Sequence, residues 1–222
     1  MQKFSYIFAL LLSASMIFIS CRDNDDNGTE PIGIGSPTAT TDPGVLIGAV
    51  NGEPIRWATR NVNSTGTFVQ YPHSMGRHFQ WNRSHGWDTV CQNTPADWDS
   101  SSAPGDAWES ENDPCPRGWR VPTIEEFRAL DRAGFGNWVL LNGVRGRWFG
   151  AEPNRIFLPA AGQRSPAGGL PYVGEVGFYW TASPGTQPLR AWQFRVDRYR
   201  DRTGYTNNQH RFHGYSIRCV AE

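Results

Sequence analysis

Four tryptophans, Trp81, Trp87, Trp98 and Trp108, stand between Tyr71 and Pro114 in a stretch that is otherwise polar and irregular. Their company is Asn82, Arg83, Asp88, Asp97 and Asp99. Flat indole faces on exposed loops, with amides and carboxylates beside them, form the usual platform for a pyranose ring and its hydroxyls. The competing role is packing, since in a helix-poor domain the tryptophans are the core. Hard oxygen donors of the kind calcium takes occur twice. One set is Glu152-Pro153-Asn154, just ahead of the apolar run Phe157-Leu158-Pro159. The other is the acidic stretch Asp97, Asp99, Asp106, Glu109, Glu111 and Asp113, which lacks the regular ligand spacing of a calcium loop and is read as a solvated loop.

Nothing else has the spacing of a catalytic or metal centre. His73, His78, His85, His210 and His213 are scattered. His210 and His213 are close, but no third ligand completes a zinc site. Glu125 and Glu126 stand at a helix start, where the capping box and the helix dipole favour carboxylates without any catalytic role. No Ser/His/Asp order, phosphate loop or paired-carboxylate spacing is present. The expectation is a non-catalytic chain with no cofactor, calcium at Glu152 and Asn154 being the one ion considered.

The elements that must carry these residues begin after an address label. Lys3 precedes a nearly unbroken apolar run from Tyr6 to Ile19, too short to span a bilayer as a helix. It stops at Ser20-Cys21, which resembles a lipobox, with Cys21 lipidated. The following Arg22-Asp23-Asn24-Asp25-Asp26 resembles the acidic export tags of Bacteroidetes surface lipoproteins. These features predict a signal peptide over 1–20 and a mature chain anchored to the outer membrane, facing outward. Residues 21–43 carry few large apolar side chains and read as a disordered tether. Residues 44–222 suit one domain. Twenty-one basic residues balance twenty-one acidic ones, which argues against a nucleic-acid partner. Lys3 is the only lysine, so arginine, which forks onto carboxylates and stacks on rings, holds every other such position.

Within the domain, Val45–Val50 and Ile55–Thr59 read as strands around the turn Asn51-Gly52. One helix is expected from Ile124 to about Ala133, with Thr123 as N-cap, Glu126 completing a capping box, and Gly134 as the stop. Trp138–Leu141 and Val144–Phe149 flank a second hairpin turn, Asn142-Gly143. Arg155–Pro159, Gly177–Ala182, Ala191–Val196 and Tyr215–Val220 read as further strands. One helix with several short strands and long loops makes the class α+β.

Several runs together resemble the Fibrobacter succinogenes major paralogous domain. They are Ile55-Arg56-Trp57-Ala58-Thr59-Arg60-Asn61-Val62, Phe79-Gln80-Trp81-Asn82-Arg83, and the stretch from Asp113 to Thr123. Phe157-Leu158-Pro159-Ala160-Ala161-Gly162, Gly177-Phe178-Tyr179-Trp180-Thr181-Ala182-Ser183 and Ser216 to Val220 complete the set. The similarity covers nearly everything from Val45 onward, in order. It implies a C-type-lectin-like fold, distantly related to formylglycine-generating enzymes, in a secreted or lipid-anchored protein.

The resemblance carries further expectations. A cysteine near the helix pairs with one in the last strand in such folds, which implies Cys115–Cys219, allowed in an exported chain. Cys91–Cys115 is the alternative, because cysteine counts do not settle connectivity. Trp57, Trp81, Trp119 and Trp180 lie inside the family-like motifs and are expected to pack. Trp87, Trp98 and Trp108 lie between motifs and, with Asp97 and Asp99, are the expected ligand-binding residues. Glu152-Pro153-Asn154 is the triplet of mannose-type C-type lectins, though their Trp-Asn-Asp element is absent. Three functions follow as alternatives. The first is a glycan-binding surface module. The second is a structural or protein-adhesion module of the envelope. The third is a divergent oxidase, which would need Cys91 beside another cysteine.

Overall fold

The computed structural model describes residues 38–90, 93–199 and 203–222. Residues 1–20, Cys21, the tether as far as residue 37 and Cys91, on which several of the expectations above fall, lie outside that set. The described chain opens with β1 (Thr38–Ala39) and continues into a hairpin of β2 (Val45–Val50) and β3 (Glu53–Trp57). Asn51 and Gly52 turn it with φ of 53° and 88°, the left-handed pair a two-residue hairpin requires. Short strands follow: β4 (Phe68–Val69), β5 (His78–Phe79), β6 (Gly86–Trp87) and β7 (Trp119–Arg120).

Helix α1 spans Ile124–Arg132. Its first turn is closed reciprocally: the Glu126 amide donates to the Thr123 hydroxyl, and the Thr123 amide donates to the Glu126 carboxylate. Ile124, Phe127 and Leu130 are buried along one face, and the chain leaves through Gly134 at φ 89°. The remaining strands are β8 (Phe135–Leu141), β9 (Val144–Ala151), β10 (Asn154–Pro159), β11 (Val176–Pro184), β12 (Arg190–Asp197), β13 (Gly204–His210) and β14 (Val220–Ala221). All ladders are antiparallel. Two are three-stranded, β10-β9-β8 and β11-β12-β13, and a four-stranded sheet runs β2-β3-β14-β7. The architecture is therefore α+β and mostly antiparallel sheet.

Two apolar clusters form the interior. One gathers Phe68, Phe79, Trp81, Trp180, Tyr215 and the Cys115–Cys219 disulfide. The other gathers Trp57, Phe127, Phe149, Phe194 and Val196 around α1. The last residues run between them. Tyr215, Ile217 and Cys219 enter the first cluster and Val220 the second, as the two-residue period of extended chain dictates.

This thread corrects one sequence expectation. Tyr215–Val220 is extended, but only Val220–Ala221 belongs to a ladder. The rest bonds one residue at a time to different partners. Tyr215 exchanges both bonds with Phe79, at 2.9 and 2.8 Å, and the Ser216 amide donates to the Phe178 carbonyl. The carbonyls of Ser216, Ile217 and Cys219 accept the amides of Trp180, Val62 and Ala58. Arg218, with no exposed surface, donates to Asn61 Oδ1 at 2.9 Å and to the carbonyls of Ala58 and Phe157 at 3.2 and 2.9 Å. Burial pushes its pKa down to about 10.

Two further differences have local causes. Strand β13 was not expected, because Thr206-Asn207-Asn208-Gln209 has no apolar alternation; its backbone pairing with β12 makes it a strand. Thr38 and Ala39, read as part of the tether, also belong to a ladder, because β1 pairs with β4.

The bridge Cys115–Cys219 closes a separation of 104 residues. Replacing both cysteines by serine is expected to lower stability by about 4–5 kcal/mol in urea unfolding. Arg218→Lys keeps the charge but cannot fork onto three acceptors, and is expected to cost about 3 kcal/mol. A loss below about 1 kcal/mol would show that those acceptors do not depend on the guanidinium.

Candidate functional site

The expected tryptophan platform divides into two places. Trp87 is buried, at 5% exposure, which corrects the expectation of a surface indole. Its ring meets His85 and Trp98 edge-on, at centroid distances of 4.6 and 4.7 Å. Asp97 explains the burial, since its Oδ1 accepts the Trp87 indole N–H at 3.0 Å while its Oδ2 takes His85 Nε2 at 3.1 Å. Trp98 is half-buried and donates to the Pro166 carbonyl at 3.0 Å. Asp99 is likewise committed, to Arg83 at 2.6 Å and to the amide and hydroxyl of Ser101. Those bonds, the Ser101 amide first, hold its carboxyl below the ordinary range. In this cluster the carboxylates organise the loop.

Trp108 belongs elsewhere. It is half-buried, meets Trp81 at 5.6 Å, and donates its indole N–H to the Asn112 carbonyl at 3.0 Å. The Arg211 guanidinium lies 3.9 Å from the Trp81 ring centre and donates to the carbonyls of Ala103 and Gly105 at 3.0 and 2.7 Å. Asn82, at φ 57°, accepts the Glu109 amide on its side-chain oxygen at 2.7 Å. Residues 103–113 are thereby fixed as a ridge of irregular backbone. On one side lies a shallow cleft of about 370 Å³ edged by Asn82, Arg83 and Glu109.

On the other side is a groove of about 560 Å³. Trp108 and Trp119 both line it, each half-buried, with Cys115, Val121 and Ala182 beneath and Arg117, Thr123 and Glu222 among its lining. Trp119 was expected to pack, and it does, partly buried against the cluster around Cys115. A turn also sets it at the groove: the Trp119 amide donates to the Pro116 carbonyl at 2.9 Å, with Gly118 at φ 82°. The signal in the sequence is Pro116-Arg117-Gly118-Trp119, a proline-and-glycine turn with the indole at its exit. Asp113 underpins the turn, accepting the amides of Cys115 at 2.9 Å and Val121 at 3.0 Å. Burial pushes its carboxyl up. Arg120 is forked onto Glu126 at 3.0 and 2.6 Å. Burial opposes the charge on Glu126, yet the Arg120 and Thr123 bonds hold its pKa below the ordinary value. Arg117, exposed, reaches into the groove without such a commitment.

Glu152 and Asn154, the residues considered for calcium, are engaged by neighbouring groups. They sit at the tip of the β9–β10 hairpin, where the Glu152 carboxylate is neutralised by Arg155 at 2.6 Å. Arg155 in turn stacks over Trp148 at 4.2 Å. Among the described residues no group of three or more His, Cys, Asp or Glu could hold a metal. No family model, curated protein or solved structure matches the chain.

Two histidines away from the groove make the stability of the fold pH-dependent. His78 is fully buried, and burial, reinforced by Arg164, pushes its pKa down to about 3. His213 stacks near Phe212 and Tyr215 and is pushed down to about 4 by burial, with His210 and Arg190 adding to it. Both lie below the unfolded value of 6.5. The unfolded chain therefore binds more protons between the two values, and stability is lost as pH falls from 6.5 towards 3–4. Stability measured by urea unfolding should be flat in these two groups above pH 7 and fall below 6.5. His78→Phe should flatten the slope by up to about 1.4 kcal/mol per pH unit; an unchanged slope would remove His78 from the account.

Proposed function

We propose that this chain is a lipid-anchored, non-catalytic surface module of C-type-lectin-like fold that binds a glycan. The anchor is Cys21, the location is the outer membrane facing outward, and the family is the Fibrobacter succinogenes major paralogous domain. What supports the fold is the order of the motif-like runs, the disulfide joining the helix entrance to the final thread, and the single helix beside short antiparallel strands. No helix among the described residues is long and apolar enough to cross a membrane.

The observation that carries the glycan reading is the groove shared by Trp108 and Trp119. Two partly exposed indoles on rigid backbone offer stacking faces at little entropic cost, since the Trp108 N–H is bonded to the Asn112 carbonyl and the Trp119 ring is packed edge-on against Phe68. Arg117 supplies donors for hydroxyl or carboxylate groups of the sugar. Trp98 is a secondary platform, separated from this groove by its own loop.

Screening of the detergent-solubilised full-length chain on a glycan array, with calcium and again with EDTA, tests the proposal. Binding is expected in both, because Glu152 is already neutralised by Arg155. Trp108→Ala and Trp119→Ala should each weaken binding about tenfold or more, and Trp192→Ala should leave it unchanged. Loss of binding in EDTA would return Glu152 and Asn154 to the site. Absence of any glycan ligand would favour a protein partner.

A further inference from the structure

Residues 38–44, which by composition close the tether, are built into the back of the groove wall. Thr38 pairs with Val69 and Ala39 with Phe68. Asp42 is then enclosed completely, its side chain without exposed surface. Its Oδ1 accepts the amides of Gly44 at 2.9 Å and Thr59 at 3.0 Å. Its Oδ2 accepts the Thr59 hydroxyl and Arg60 Nε, both at 2.9 Å. Arg60 also donates to the Thr41 carbonyl, and Arg56 donates to the Pro43 carbonyl at 3.2 Å. A segment read as linker thus satisfies part-buried donors of the domain.

The segment touches Trp119 by two routes. Gly44, at φ +64°, has no room for a side chain: an added Cβ would stand 2.9 Å from Trp119 Cη2 and 2.6 Å from Arg56 Cγ. Phe68, the strand partner of Ala39, meets the Trp119 ring edge-on at 5.7 Å with planes at 89°. The Arg60 guanidinium, held by Asp42, lies 5.8 Å from the Phe68 ring centre. Two of the contacts of Asp42 therefore bear on Trp119, that of Gly44 directly and that of Arg60 through Phe68.

We propose that residues 38–44 are a docking arm, and that Asp42 and Gly44 are positioning residues that set the Trp119 wall of the groove. The arm joins the membrane-side segment to the binding face, so undocking it loosens Trp119. By linkage, a ligand clasped by Trp119 holds the arm down. The proposal rests on the groove reading above, but it is tested without any ligand, so that the two can fail separately.

The experiment is 19F NMR of full-length protein labelled with 5-fluorotryptophan in detergent, with the Trp119 resonance assigned by its loss in Trp119→Phe. Chemical shift and H2O/D2O isotope shift are read for Trp119 and for Trp148 as an internal control. Asp42→Asn and Gly44→Ala should both move the Trp119 resonance and raise its solvent isotope shift about twofold, towards that of an exposed indole. Trp148 should stay in place, and Glu175→Gln should move neither. A Trp119 resonance unmoved in both folded variants overturns the proposal. If Asp42→Asn collapses all resonances to their unfolded positions, Gly44→Ala alone decides. Movement of Trp119 with no glycan binding on the array keeps the arm and removes the glycan.

Discussion

Backbone carbonyls buried outside regular structure are the constraint this fold has to meet, and arginine meets it. Among the described residues four guanidinium groups are buried, at Arg147, Arg164, Arg211 and Arg218. Arg218 takes carbonyls from Ala58 and Phe157. Arg147 takes those of Gly136, Asp197 and Arg198. Arg164 takes those of Asp88, Asn93 and Gly168. Arg211 takes those of Ala103, Gly105 and Arg190. In each case the acceptors come from at least two separate segments of the chain. A planar fork of five donors spans such scattered acceptors; an ammonium on a flexible stem does not. The near absence of lysine thus has a structural counterpart in the domain.

The groove inherits its rigidity from this arrangement. Its floor contains Cys115, bonded to Cys219 in the thread whose next residue back is Arg218. Its ridge is fixed by Arg211, which also stacks on Trp81 beneath Trp108. Its second wall is backed by Phe68 and the segment around Asp42. Binding loops on a stiff scaffold lose little entropy on complex formation, so a shallow groove can still hold a ligand specifically.

Features set by neighbouring residues were legible in the sequence. The Thr123–Glu126 capping box and the hairpin turns at Asn51-Gly52 and Asn142-Gly143 depend on residues within a few positions, and each stands where expected. Features set by distant partners were not. Tyr215–Val220 has the alternation of a strand, but its backbone partners come from separate segments, at Ala58 and Val62, at Phe79, and at Phe178 and Trp180. Trp87 sits in polar company, yet Asp97 accepts its N–H and lets the ring be buried. Asp42 looks like linker until Thr59 and Arg60 close around it. Of the expected binding residues, only Trp108 lines the groove, whereas Trp119, which also lines it, was expected from its motif only to pack.

The terminal thread is the central claim, and native-state hydrogen exchange tests it most directly. The amides of Ala58, Val62, Phe79 and Trp180 donate to the thread from four places in the fold. If the thread holds those places together, all four exchange only through global unfolding, with one shared free energy and one denaturant slope. Exchange of any of them through a separate, lower-energy opening would contradict the account, because that part of the fold would then stand without the thread.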